Sequence, residues 1–133
     1  SRILTADPVE LVEILLRAAL DAIGKAQEEL RRGRIQERSR AITRASEVLN
    51  ELALSVNHEA GGELSRNLVE LYAYVQRLLI EANAHQREAP LQEAERLVAS
   101  LAEAWQSCRL SSGPAPAAEP EAAAGYTPLS CTC

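Results

Sequence analysis

The chain contains no Phe and no Met, a single Trp, and aromatic residues at only 3% of its 133 positions, yet 47% of it is hydrophobic. Its apolar mass is therefore Leu, Ile, Val and Ala, which fill helix interiors more readily than the aromatic and β-branched faces of sheets. Histidine and cysteine are nearly as scarce, with two and three residues. The residues three before His58 and His85 are Ser55 and Ala82, so the Glu-x-x-His spacing of di-iron bundles is missing. The cysteines (Cys108, Cys131, Cys133) all lie beyond residue 107 and fit no common zinc spacing or disulfide framework. No apolar run approaches the roughly 20 residues of a spanning helix, which argues against membrane insertion. Gly61-Gly62 follows no strand, so no phosphate-binding loop is present. The numbered chain opens Ser1-Arg2-Ile3 with neither a signal-peptide pattern nor an initiator Met, so further N-terminal residues are expected before Ser1. With a net charge of -5 and a pI near 5.1, phosphate backbones and anionic lipid would repel it. A non-enzymatic cytoplasmic protein needing no cofactor, and binding no nucleic acid, is expected.

What is present is a helical period. Asp7-Pro8-Val9-Glu10 reads as an N-cap, a first-turn proline and a capping box. Val12, Leu16, Ala19, Ile23, Ala26 and Leu30 then recur at spacings of three and four, and Leu11, Leu15, Ala18 and Ala22 form a second stripe beside them. Gly33 stops this helix. A second seam runs through Ile35, Ile42, Ala45, Leu49, Leu52 and Val56, with Arg38 taking one position; Gly61-Gly62 ends it. The third carries Leu64, Leu68, Leu71, Val75, Leu78 and Ala82, and the fourth, after Pro90, carries Leu91, Ala94, Val98, Leu101, Trp105 and Cys108. Helices over about 8–32, 35–57, 63–86 and 91–109, joined by short connections, predict an all-α, antiparallel up-down four-helix bundle over residues 1–110. From Ser111 to Cys133 the chain is rich in Ala and Pro, with no Lys or Arg, and a flexible tail is expected. Glu28, Glu29, Glu47, Glu51, Glu93 and Glu95 lie off the seams and read as a charged outer face.

Several segments resemble the FliS family of flagellin-specific export chaperones. Leu4-Thr5-Ala6-Asp7-Pro8-Val9-Glu10-Leu11 resembles that family's Leu-Thr-Ala-Ser-Pro-x-x-Leu opening. The stretch from Gly61 to Tyr74 is similar to its Gly-Gly-Glu-x-x-x-Asn-Leu-x-x-Leu-Tyr-x-Tyr block, and Arg77, Leu78, Glu81, Ala82 and Asn83 continue it. Trp105 falls where the family has a Trp in its last helix. Leu15-Leu16-Arg17-Ala18-Ala19 departs from the family's Leu-Tyr-Asp-Gly-Ala, and Val56-Asn57 stands in place of Leu-Asp.

The resemblance implies a cytosolic chaperone that holds the disordered C-terminal segment of flagellin, keeps it from polymerising, and delivers it to the export machinery, with the export gate as a further partner. Partner contact is expected at Leu11, Leu15, Leu16, Ala18, Ala41, Val48, Asn67, Tyr72, Tyr74, Leu79 and Asn83. Val69 and Ile80 add to a surplus of apolar groups beyond one seam per helix, as shallow grooves require. The resemblance also implies a masking segment before the first helix; only Ser1 to Ala6 remains of it, so reduced self-masking is expected. Two alternatives stand beside this. One is an adaptor bundle with another client. The other is a histidine phosphotransfer bundle suggested by His58-Glu59-Ala60-Gly61-Gly62, in which Gly61 replaces that motif's Lys.

Overall fold

A computed structural model describes residues 8–56 and 61–111, with side chains to Cys108. Asp7, His58, the segment before Pro8 and the tail beyond Ser111 lie outside the described residues, and so do the expectations placed on them. Four helices follow in chain order: α1 (Pro8–Arg31), α2 (Ile35–Leu54), α3 (Glu63–His85) and α4 (Glu88–Ser111). No strand occurs among the described residues. Each helix packs on its neighbours in the chain, and α1 closes the ring against α4. Cross-helix hydrogen bonds fix the directions: Gln27 reaches Glu95 while Trp105 reaches Val9, and Arg38 reaches Asn83 while Ser46 reaches Gln76. Neighbouring helices are therefore antiparallel, and the fold is the expected up-down four-helix bundle.

The helix ends have local causes. Gly33 takes φ 73°, its N–H donating to the Leu30 carbonyl and that of Arg34 to the Glu29 carbonyl. This paired closure of the last turn needs a residue that tolerates the left-handed region. Helix α2 ends at Leu54, three residues before the expected boundary. There Ser55 Oγ donates to the Leu52 carbonyl at 2.8 Å, and Val56 N–H tightens onto the Ala53 carbonyl, so local bonds outcompete the next helical turn. At the following break Gly62 has φ 55°, and a methyl group on Gly61 would collide with Ser65 Oγ. Helix α3 ends on Gln86 in the left-handed conformation. Helix α4 starts at Glu88, earlier than expected, because Pro90 occupies the first turn, where its missing N–H has no helical partner to lose.

The core contains Leu16, Ile23, Leu49, Leu52, Val75 and Leu79, with Trp105 the largest buried side chain. Ala19, Ala26, Ala45, Ala82 and Ala94 are wholly buried, so several helix contacts are close backbone approaches. All six expected seam positions of α4 are buried. Two expectations are corrected. Ile35 is 57% exposed, because it precedes the point where α2 meets its neighbours. Glu29, read from its spacing as part of the outer face, is 1% exposed. It is covered at the α1/α2 corner, with Lys25 Nζ 3.0 Å from Oε2 and Arg34 Nε 3.7 Å from Oε1. Oε1 has no hydrogen bond. The hydrogen bond from Lys25, aided by the charges of Lys25, Arg34 and Arg32, holds the Glu29 carboxyl below its usual range against the opposing effect of burial.

Candidate partner-binding surface

Where α2 faces α3 the helices do not close on each other. One depression of about 370 Å³ lies between Ile42, Thr43 and Ser46 on α2 and Leu79, Ile80 and Asn83 on α3. A second, of about 480 Å³, lies further along the same seam between Leu49, Asn50 and Ala53 on one side and Val69, Tyr72 and Ala73 on the other. Gln76 separates them. Its amide donates to the Ser46 carbonyl and to Asn50 Oδ1, each at 3.0 Å, and accepts from Ser46 Oγ. The result is a two-part channel with a polar crossbar, and Ile80 stands 67% exposed at its rim. The bar exists because Gln76 is too polar to bury unpaired, and its amide finds partners only across the seam.

A third depression, about 390 Å³, opens between α1 and α2 and is lined by Leu11, Leu15, Glu51, Leu54 and Ser55. Leu54, 79% exposed, is the most exposed large aliphatic group described. Between α3 and α4 the surface is polar and tied: Tyr74 hydroxyl donates to Glu93 Oε2 at 2.6 Å, and the Arg77 guanidinium lies 5.6 Å from the Tyr74 ring centre. The Glu93 bond and partial burial raise the Tyr74 pKa above that of a free phenol, because losing the proton would break the bond and place two anions together.

The residues expected from sequence to touch a partner fall into three groups. Leu11, Leu15 and Ala18 are half-buried on the α1 flank, the first two lining the α1/α2 depression. Asn67 and Tyr74 are exposed on α3, and Asn83 lines the α2/α3 channel. Leu16, Ala41, Val48, Tyr72 and Leu79 belong to the core. These five are largely covered: Leu16 has no exposed surface, while Tyr72 and Leu79 form the floor of the channel. Asn83 also has internal work. Its Oδ1 accepts from Arg38 Nε at 3.0 Å and Ser39 Oγ at 3.2 Å, pairing the buried guanidinium. Sequence reasoning missed the Ser46, Asn50 and Gln76 crossbar and the exposed Leu54. The signal available was polar residues placed one turn from a seam on two successive helices.

Among the described residues no cluster of three or more metal-ligating side chains occurs, and no helix is long and apolar enough to cross a membrane. The described residues thus form an all-helical bundle with small residues in its seams and open interhelical channels on its flank. The chain belongs to the FliS family: the family described as flagellar protein FliS matches residues 1–111. It is 34% identical over 107 residues to the flagellar secretion chaperone FliS of Salmonella typhimurium strain LT2, covering 80% of this chain and 79% of that protein. Against the flagellar secretion chaperone FliS of Escherichia coli K12 it is 30% identical over 112 residues, 84% of this chain and 82% of that one. The flagellar secretion chaperone FliSB of Pseudomonas aeruginosa is 30% identical over 100 residues, 75% of this chain and 79% of the relative.

Proposed function

We propose that this protein is a cytoplasmic flagellar secretion chaperone that captures the disordered C-terminal segment of flagellin, blocks its polymerisation and hands it to the export machinery. The relatives' names support the class. The observation that carries the client reading is the presence of Ile80 and Leu54 at the rims of open apolar channels in a bundle otherwise well packed. A segment that folds as amphipathic helices on assembly lacks its neighbours beforehand, and a groove between helices substitutes for them. The channels lie on two adjoining faces rather than in one pocket, which suits an extended wrap. Ordering a disordered chain costs free energy, and burying roughly 1,000 to 3,000 Å² offsets it. No covalent step is involved.

Calorimetry against a peptide of the flagellin C-terminal segment tests this. Stoichiometry near one to one is expected, with binding weakened at least about tenfold by Ile80→Asp and by Leu54→Asp, the loss of a rim hydrophobe in a desolvated contact. Leu79 and Tyr72 are unsuitable probes because substitution there would disturb the core. No heat with the wild-type chain at high peptide concentration would sink the proposal. Binding of an unrelated helical segment in preference to flagellin would instead support an adaptor with another client.

A further inference from the structure

Cys108 is disulfide-bonded, which corrects the sequence expectation that the three cysteines build no disulfide. The sequence offers it two partners, Cys131 and Cys133, both in the Ala- and Pro-rich tail. We propose that this bond is a redox-controlled mask: it draws the tail segment Tyr126-Thr127-Pro128-Leu129 over the α1/α2 depression and closes that depression to partners.

The placement follows from the antiparallel bundle. Cys108 lies on α4 one helical turn past Trp105, whose Nε1 donates to the Val9 carbonyl in the first turn of α1. Leu54 is the last residue of α2, so the depression lined by Leu11, Leu15, Glu51, Leu54 and Ser55 opens at this same end of the molecule. Only α1 stands between that depression and α4, and packed helices lie about 8 to 10 Å apart. Tyr126 precedes Cys131 by five residues and Cys133 by seven. Extended chain of that length spans about 16 to 25 Å, enough to cross α1. Pro128 favours the extended form at Thr127. The chemistry matches as well. Tyr126 and Leu129 are the only large apolar side chains beyond Ser111, and their segment carries no charge. Leu11, Leu15 and the exposed Leu54 meet those two side chains, with burial of apolar surface as the driving force. The Tyr126 hydroxyl donates to the Glu51 carboxylate at the rim.

Cys108 is buried, so a small disulfide in solution meets the tail thiols first. A thiolate at Cys131 or Cys133 attacks oxidised glutathione, expels one glutathione thiolate and leaves a mixed disulfide. The Cys108 thiolate then displaces the second glutathione. Two cysteine thiols are oxidised to one disulfide, glutathione disulfide is reduced to two thiols, and the two cysteine protons pass to them. The third cysteine stays reduced. In the reducing cytoplasm proposed above, such a bond reports oxidation instead of serving as a permanent staple.

The test holds the full chain in glutathione buffers from fully reduced to fully oxidised, blocks free thiols and digests with trypsin. Cleavage after Arg96 and Arg109 leaves Cys108 in peptide 97–109 and both tail cysteines in 110–133. A monomer in which these two peptides are linked is expected in the oxidised buffer. The link should vanish with dithiothreitol and in Cys131→Ser/Cys133→Ser, which alters only the tail. Nuclear Overhauser contacts between the Tyr126 ring and the Leu54 methyl groups should appear in the oxidised chain alone. Tail glutathionylation or a Cys131–Cys133 bond without the link to 97–109 overturns the bridge, as does a link found only in dimers. A linked monomer lacking the Tyr126–Leu54 contact overturns the mask. Neither readout contains a client, so failure here leaves the flagellin proposal standing, and failure of that proposal leaves the mask.

Discussion

The α1/α4 seam and the α2/α3 seam use the same kind of helix and come to opposite results. Along α1/α4, Ala19, Ala26 and Ala94 have no exposed surface. Trp105 donates from Nε1 to the Val9 carbonyl at 3.1 Å at one end, and Gln27–Glu95 and Arg31–Glu88 tie the other. Along α2/α3 the contact is less extensive, and the links are side-chain bonds through Asn83 and Gln76, with open volume on both sides of the Gln76 bar. Small residues let backbones approach until the seam shuts, whereas side-chain amides bridging two helices hold them at a distance that leaves room for a guest.

The contrast can be broken most decisively by deleting its two largest landmarks. Trp105→Ala should lower unfolding free energy by about 3 to 5 kcal/mol in urea titration, as large core truncations do. Ile80→Ala on the open seam should stay within about 0.5 kcal/mol; similar losses at both positions would abolish the distinction. Next in size, Asn83→Ala should cost about 1 to 3 kcal/mol because it strands the buried Arg38 guanidinium. The same substitution combined with Arg38→Met should recover part of that loss, and no recovery would show that Asn83 acts elsewhere.

A pH series sharpens the picture at the α1/α2 corner. The carboxyl of Glu29 is more acidic in the folded chain than in the unfolded one, so the unfolded chain takes up the proton first as pH falls. Its contribution is whole above the ordinary value of 4.5 and is lost as the pH drops through the lowered folded value. The stability gap between wild type and Glu29→Gln should therefore be widest at neutral pH and narrow in that acid window. A gap that is flat with pH would mean the ion pairs with Lys25 and Arg34 contribute nothing. The smallest effect belongs to the tied α3/α4 face. Tyr74→Phe should cost less than about 1 kcal/mol, while ultraviolet titration should show Tyr74 ionising above a free phenol and returning toward it in Glu93→Gln.

Most of this architecture was legible because three- and four-residue spacing directly reports which side of a helix avoids water. Val12, Leu16, Ala19, Ile23 and Ala26 are all buried, as their period requires. The second stripes were not legible in the same way. Ala22 and Val48 are covered while Leu11 and Leu15 stay half-buried, although all four sit one step off a seam. The outcome depends on how near the adjacent helix comes, which is a property of the pair rather than of either sequence. Glu29 misled for a related reason: its burial arises from Lys25 and Arg34 folding over it, and Arg34 belongs to the turn leading into the next helix. The candidate surface was half legible, since apolar surplus was countable but its division between floor and rim was not.

The three-residue connection at Gly33 carries one further consequence. It joins the two helices with the most extensive mutual contact in the protein, so that hairpin closes a short loop and gains its contacts at small entropic cost. During synthesis the pair should condense before α3 is available, and α3 should dock last onto its least extensive interface. Backbone amides of α3 would then exchange with solvent faster than those of α1. The α2/α3 channel is in that case the latest part of the molecule to form, and a guest held there, as proposed above, would complete its folding.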